Sequence, residues 1–396
     1  MFENPVTDAE TKCRKGSLAR SAMHLPQGIG SQMNVVTPIS EMEVRSSAPA
    51  ICASWFEVRP RDISLWNSVL LGTDTSLYQY PFWNEPNRPF LLRPRYLAWG
   101  TQDRPLAFVC ILTVGFGPAK IGLVFRGPVC LQPDVELSSL ALSELFDWAR
   151  AQGFIFIRFT HSDPHVLDLL SRAGHVEDYD AFPYFLDYPV QCPDYIVEQF
   201  DCEEATLASF DREARRKIRR ATEAGYEFRV DDSAAALAKA WPLYQECSRR
   251  KHFRLERPLS VYQRAVRLAQ PHDCVRIYAA YLNGTMVGNT LVFRDRTMAH
   301  SLLAAFDMRH RHAAVFLHWH AMRDMYRLGA PRYNLGPGPG LLARFKRQFC
   351  PEPTRYPAAR TVVLKEDWFR FWRQRIFPVA SGVRPMLRKL VSRLRS

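Results

Sequence analysis

The chain has 396 residues, 47% of them hydrophobic, which is enough for two or three ordinary domains with proper cores and unlike a disordered or fibrous composition. A formal net charge of +13 favours an anionic partner, whether nucleic acid, a phosphorylated small molecule or a membrane surface. The nine cysteines are odd in number, scattered and without a C-x-x-C pair, which argues against a disulfide framework or zinc ribbon and fits the reducing cytosol.

Residues 1 to about 47 show neither an apolar h-region nor an amphipathic rhythm, so they read as a disordered leader and not as a signal peptide. No run reaches membrane-spanning length. Past a helical segment, "RDISLWNSVLLG", the stretch "YLAWGTQDRPLAFVCIL" alternates apolar residues on both sides of a polar turn at Gln102, Asp103 and Arg104. A further strand, "KIGLVFRGPVC", is followed by the helix "LSSLALSELFDWARAQG", stopped at Gly153, and the strand "FIFIRF".

The same order returns. After the helix "SAAALAKAWPLYQECSRRK" comes "RIYAAYLNGTMVGNTLVF", in which Asn283-Gly284 is a strong type I′ hairpin signal. Then follow "TMAHSLLAAF", the helix "AAVFLHWHAMRDMYRLG" with its stop at Gly329, and the strand "PRYNLG". About 50 positions separate turn from glycine stop in the first unit and about 45 in the second. The reading is a duplicated α/β (α+β) architecture: a domain over 48–190, a second over 191–372, and a separate segment over 373–396. The order within each unit is that of an acyltransferase fold of the GNAT type, whose central strands splay to leave a slot where acyl donor and amine acceptor meet.

Near the end stands "GPGPGLLARFKRQF", residues 336–349. Glycines interleaved with prolines neither extend a helix nor fill a central strand, so a strand, a bare loop and a basic helix are expected here. Amides in such a loop can approach an anionic or carbonyl-bearing ligand.

Four stretches together carry a family resemblance: "SLYQYPFWNEPNR", the "GPV" after "VFR", the basic helix in "FDREARRKIRRATEAGYEFRV" and "NLGPGPGLLARFKRQF". Between Trp55 and Trp372 the chain resembles the Fem-type aminoacyl-tRNA-dependent peptidyltransferases and the wider set of tandem GNAT and BioF2-like acyltransferases. The most specific pieces are Phe345-Lys346 with Phe349, matching an F-K-x-x-F signature, and the R-x-I-x-x-A pattern at Arg216, Ile218 and Ala221.

The resemblance implies transfer of an aminoacyl group from the ribose ester of a charged tRNA to an amine of a peptidoglycan precursor or related peptide, the acceptor being lipid-linked or nucleotide-linked. It casts Lys346 as the cation that steadies the oxyanion and Phe345 as a wall of the slot, beside Gly336, Gly338 and Gly340. It gives Arg215 and Arg216 the acceptor's diphosphate, a role suited to guanidinium. The family's lysine eight places after the front-motif glutamine is absent: Gln79 leads to Asn87, with Arg88 adjacent as the substitute. The long coiled-coil arm of some members is not visible. No cofactor is implied beyond the aminoacyl-tRNA co-substrate.

Competing readings concern the donor. An acyl-coenzyme A N-acyltransferase would need a glycine-bearing pyrophosphate loop, and in "DMRHRHAAVF" His312 stands in the glycine position. A non-catalytic protein holding nucleic acid or anionic lipid through its basic helices is the third reading. His310, His312, His318 and His320 crowd together, but H-x-H spacing on a helix points the rings apart, so no metal is expected. In "VRPMLRKLVSRLRS", Val383, Met386, Leu387, Leu390, Val391 and Leu394 form one stripe with arginines elsewhere, the layout of a helix resting on an anionic membrane. The expected location is therefore cytoplasmic, with peripheral contact at the inner face of the plasma membrane.

Overall fold

In the computed structural model, residues 53–87, 92–116, 119–132, 136–174, 176–177, 193–250, 257–338 and 341–376 are described. The expected leader, Arg88, Gly340 and the amphipathic stripe past residue 376 lie outside them. The first half runs β1 (Ser54–Glu57), α1 (Leu65–Leu71), α2 (Pro81–Asn84), β2 (Arg93–Gly100), β3 (Pro105–Phe116), β4 (Ala119–Phe125) and β5 (Val129–Cys130). It continues with α3 (Ser139–Ala151), β6 (Phe154–Thr160), α4 (Pro164–Ala173) and β7 (Val176–Glu177). The second half begins with β8 (Asp194–Glu198), α5 (Glu203–Ala208), α6 (Arg212–Glu223), β9 (Glu227–Val230), α7 (Ala234–Arg250) and α8 (Leu259–Ala269). The repeat then follows as β10 (Val275–Leu282), β11 (Thr285–Arg294), β12 (Ala299–Phe306), α9 (Ala313–Arg327) and β13 (Arg332–Pro337). Last come α10 (Leu341–Lys346), β14 (Arg360–Val363) and α11 (Glu366–Phe371).

Local chemistry accounts for most of the boundaries. Asn283 and Gly284 both take positive φ, 49° and 75°, so the β10–β11 turn has the twist a two-residue hairpin needs. Gly153 and Gly329 close α3 and α9 at φ 85° and 89°, where a β-carbon would be strained. The Ser138 hydroxyl caps α3 by accepting from the Ala141 amide at 3.1 Å, and Asp211 caps α6 through the Ala214 amide. Ala214, Ile218 and Ala221, spaced to share one face of α6, are its buried residues.

Two sheets result. The first has the order β1-β2-β3-β4-β6-β14-β7, with β5 on β3, and the second β8-β13-β12-β11-β10-β9. The expected second domain ran to residue 372, but β14 belongs to the first sheet, where it pairs antiparallel with β6 and β7. The cause is the burial of β6: every one of its residues is buried, Arg158 and Thr160 included, and an open edge there would expose both its backbone and its side chains. β14 covers that edge. Phe369 and Trp372 then pack on Phe156 with ring centroids 5.3 and 4.8 Å away.

The two sheets are joined by a common core. Phe108, Leu112 and Ile121 of the first sheet share a buried cluster with Leu237, Tyr244 and Val266 of α7 and α8 and with Leu291 and Phe293 of β11. Each such large side chain contributes roughly 1.5–3 kcal/mol on burial. The Leu77 amide donates to Asp295 Oδ2 at 2.9 Å, so a polar contact also ties the halves, while within the second half the buried Tyr244 hydroxyl donates to Asn289 Oδ1 at 2.7 Å.

Candidate functional site

The two repeats differ at their central parallel pair. In the first, β4 and β6 stay paired from Lys120↔Phe154 to Phe125↔Thr160. In the second, β12 and β13 pair only at Ala299↔Tyr333 and His300↔Asn334, after which the strands part. Only the second unit therefore has the splayed slot of an acyltransferase.

The glycine loop closes the end of that slot. Gly336 has φ 75°, which favours glycine, and a β-carbon on Gly338 would lie 3.1 Å from Leu342 Cβ and 3.2 Å from Lys346 Cδ. Bare backbone here lets the loop lie directly over the Lys346 side chain. Lys346 is only 8% exposed and its Nζ donates to the carbonyls of Gly336 and Pro337 at 2.9 and 2.7 Å. Two of its three N–H groups are thus placed, and the third is the one available to a ligand. Burial lowers its pKa to about 8, with nearby Asp194 acting in the opposite direction. The loop amides are not all free, since the Gly336 amide donates to Asn334 Oδ1 at 2.6 Å.

Behind Lys346 lies a wall of rings. Phe345 is half-buried, 5.5 Å from Phe349 and 5.9 Å from His318 between ring centroids. Burial, and next the Lys346 charge, push His318 down to about 3, so it is a neutral ring. His320 instead stacks on Phe228 and meets Phe316 at a tilt, as opposite-facing H-x-H spacing requires.

Lys346 connects to the other half through Asp194. This carboxylate, 2% exposed, accepts from Asn334 Nδ2 at 2.8 Å and from the Tyr356 hydroxyl at 2.9 Å, and it lies 3.5 Å from Arg126 Nη2. Arg126 has φ 54° and its guanidinium sits over the rings of Tyr356 at 4.2 Å and Tyr78 at 5.6 Å. Its Nη2 has no hydrogen-bond partner among the described residues. Burial pushes Tyr78 up to about 12 and raises Tyr356 too, so both are neutral phenols. Asp194, Arg126 and Tyr356 were not singled out by sequence reasoning, because each is an isolated residue whose partners are tens to hundreds of positions away.

Arg126, His161 and Tyr356 line a cavity of about 720 Å³ between the halves, with Glu136, Ile196 and Arg332 also on its walls. That size suits a ligand larger than a single acyl group. Burial lowers His161 to about 4, and its Nδ1 accepts from the Asp163 amide at 3.0 Å.

The front motif turns out to support this wall from behind. Gln79, fully buried, accepts from the Cys110 amide and donates to the Phe125 carbonyl, both at 2.7 Å. A β-carbon on Gly127 would fall 2.7 Å from the Gln79 amide group, which those two bonds hold in place. Gly127→Ala is expected to destabilise the chain by about 1–3 kcal/mol, read as a lowered midpoint in chemical denaturation, with a larger loss of activity because Arg126 is its neighbour.

Arg215 and Arg216 are exposed on α6 and do not line the cavity; Arg216 pairs with Glu213 at 2.5 Å. The site brings together Lys346, Phe345, Gly336 and Gly338, while the two arginines stand apart on the neighbouring surface. Among the described residues no coiled-coil arm is present, and no helix is long and apolar enough to cross a membrane.

Residues 208–347 match the family model of the acetyltransferase (GNAT) domain. Among solved structures, the chain is similar to FemX, with a TM-score of 0.68 at 14% identity over 81% of this chain and 100% of that one. It is also similar to a conserved protein of unknown function from Bacteroides thetaiotaomicron, with a TM-score of 0.55 at 13% identity over 78% of this chain and 99% of that one. A third is the C-terminal domain of an Agrobacterium fabrum protein described as a lysylphosphatidylglycerol synthetase, with a TM-score of 0.50 at 15% identity over 76% of this chain and 92% of that one. No curated protein gives a match. At these identities the likeness is one of fold: two tandem GNAT units, the second of which carries the recognised acyltransferase domain.

Proposed function

We propose that this GNAT acyltransferase moves an aminoacyl group from an aminoacyl-tRNA to an amine of a peptide acceptor, a peptidoglycan precursor or a related peptide, on the cytoplasmic side. The observation that carries the reading is Lys346: a buried ammonium, where β12 and β13 part, with two N–H groups fixed on loop carbonyls and one left over. Attack of a neutral amine on the ester carbonyl turns the carbonyl oxygen into an oxyanion, and a preplaced cation in a water-poor slot stabilises that charge without reorganising. Collapse of the intermediate breaks the bond to the ribose oxygen, which leaves with a proton, and the amide remains. The interdomain cavity offers room for the acceptor, and the buried guanidinium of Arg126 in its wall suits an acidic group there.

The test is transfer itself. Purified protein incubated with radiolabelled charged tRNA and lipid-linked or nucleotide-linked peptide is expected to form a labelled amide product in an RNase-sensitive manner. Transfer that instead requires an acyl-coenzyme A replaces the donor, and binding of both substrates with no product under either condition removes the enzymatic reading.

A further inference from the structure

The surface beside the slot is basic, and its cations are of two kinds. On α6, Glu213 lies 2.5 Å from Arg216 and 3.4 Å from Lys217, and Glu223 lies 3.6 Å from Arg219, so these charges are partly offset. Arg212, Arg215 and Arg220, together with Arg344 and Arg347, are exposed, and their guanidinia have no ion pair or hydrogen bond among the described residues. Two of them, Arg212 and Arg347, flank a single joint between their two segments. The Asp211 amide donates to the Gln348 carbonyl at 2.9 Å, Lys217 Nζ donates to Gln348 Oε1 at 3.1 Å, and Phe210 meets Phe349 with ring centroids 5.2 Å apart. Arg212 and Arg347 are therefore each one residue from the joint between α6 and the segment that carries Lys346.

The chemistry of this face selects among anionic partners. A helix that lies on a bilayer must offer apolar side chains for insertion. The apolar residues of α6, Ala214, Ile218 and Ala221, are all buried in the protein, and its outward side holds arginine, glutamate and threonine. A twelve-residue helix is about 18 Å long, enough to follow several backbone phosphates. Arginine's planar fork matches a phosphate group in two hydrogen bonds.

We propose that α6 with Arg344 and Arg347 is a docking face for the sugar-phosphate backbone of RNA, positioned so that the 3′ end of the bound strand reaches the Lys346 slot. This rests on the aminoacyl-tRNA reading and adds where the RNA is held. Phosphate contacts fix register and carry no sequence information, so the face accepts RNA irrespective of its base sequence.

The experiment is fluorescence anisotropy of the full chain with an uncharged RNA hairpin bearing a single-stranded 3′ overhang, titrated over a range of salt. Arg212→Glu/Arg215→Glu/Arg347→Glu is expected to weaken binding by more than about tenfold and to reduce the slope of log Kd against log salt by about three, roughly one per cation removed. The milder triple change to glutamine should lie between, and Arg150→Glu/Arg172→Glu in the first half should leave Kd unchanged. All five side chains are exposed, and circular dichroism verifies that the variants stay folded. Unchanged Kd and slope in the glutamate triple variant, an equal loss in the control, or failure of the native chain to bind the hairpin would each overturn the proposal. So would displacement of the RNA by phosphatidylglycerol vesicles with equal sensitivity to the same substitutions. Because no turnover is read, RNase-sensitive transfer with a silent triple variant removes the docking face alone, whereas RNA-independent transfer removes the donor reading.

Discussion

Lys346→Met is expected to lower kcat by on the order of 10²–10³-fold while leaving a folded protein, since methionine fills the lysine stem's volume and deletes only the ammonium. Lys346→Ala should lose at least as much. Both variants leave the Gly336 and Pro337 carbonyls without their donor, so a stability decrease of about 1–3 kcal/mol should accompany the kinetic one. The kinetic loss is the larger effect. The pH dependence gives a second handle with a definite sign. Burial lowers the Lys346 pKa to about 8, the ammonium is the acting form, and activity should therefore decline as pH rises through about 8. Lys346→Arg retains a cation that does not titrate in this range, so whatever activity it keeps should lack that alkaline decline. A methionine variant within threefold of the native kcat, or an alkaline limb that survives the arginine substitution, would remove Lys346 from the mechanism.

Asp194→Ala should be the most destabilising single change outside the apolar core, by about 3–5 kcal/mol in chemical denaturation. It leaves the buried Arg126 guanidinium without its counter-charge and deprives Asn334 and Tyr356 of their acceptor. Asp194→Asn keeps most of the hydrogen-bonding shape and should cost less. Removing both charges is the informative control: Arg126→Met/Asp194→Asn should be more stable than Asp194→Ala alone, because no unpaired ion remains buried. A loss below about 1 kcal/mol for Asp194→Ala would mean that water already reaches Arg126 and that the ion pair is not a structural joint. The same substitution frees Asn334, which holds the Gly336 amide, so kcat should fall together with stability.

The repeat was legible because its signals are local. Apolar alternation, the Asn283-Gly284 turn and the glycine stops at Gly153 and Gly329 each act within a few residues, and positive φ at those positions follows from the absence of a β-carbon or from asparagine's tolerance of that region. Lys346, Phe345, Gly336 and Gly338 could be named from the resemblance to the family's F-K-x-x-F motif and glycine loop, and they do meet within one loop and one turn of helix. The burial of Lys346 was not legible, since the neighbouring Arg344 and Arg347 look identical to it in sequence and both are exposed.

What this chain determined by itself was which residues turn, which face inward along each element, and which short motif stands at the end of the second repeat. Tertiary packing decided the rest: that β14 returns to the first sheet, that only the second slot opens, and that Asp194 meets Asn334 and Tyr356 from 140 and 162 positions away. The physical reason is range. Backbone preference and side-chain periodicity operate over one or two turns, whereas a buried ion pair or a covered sheet edge depends on which distant surfaces exclude water together.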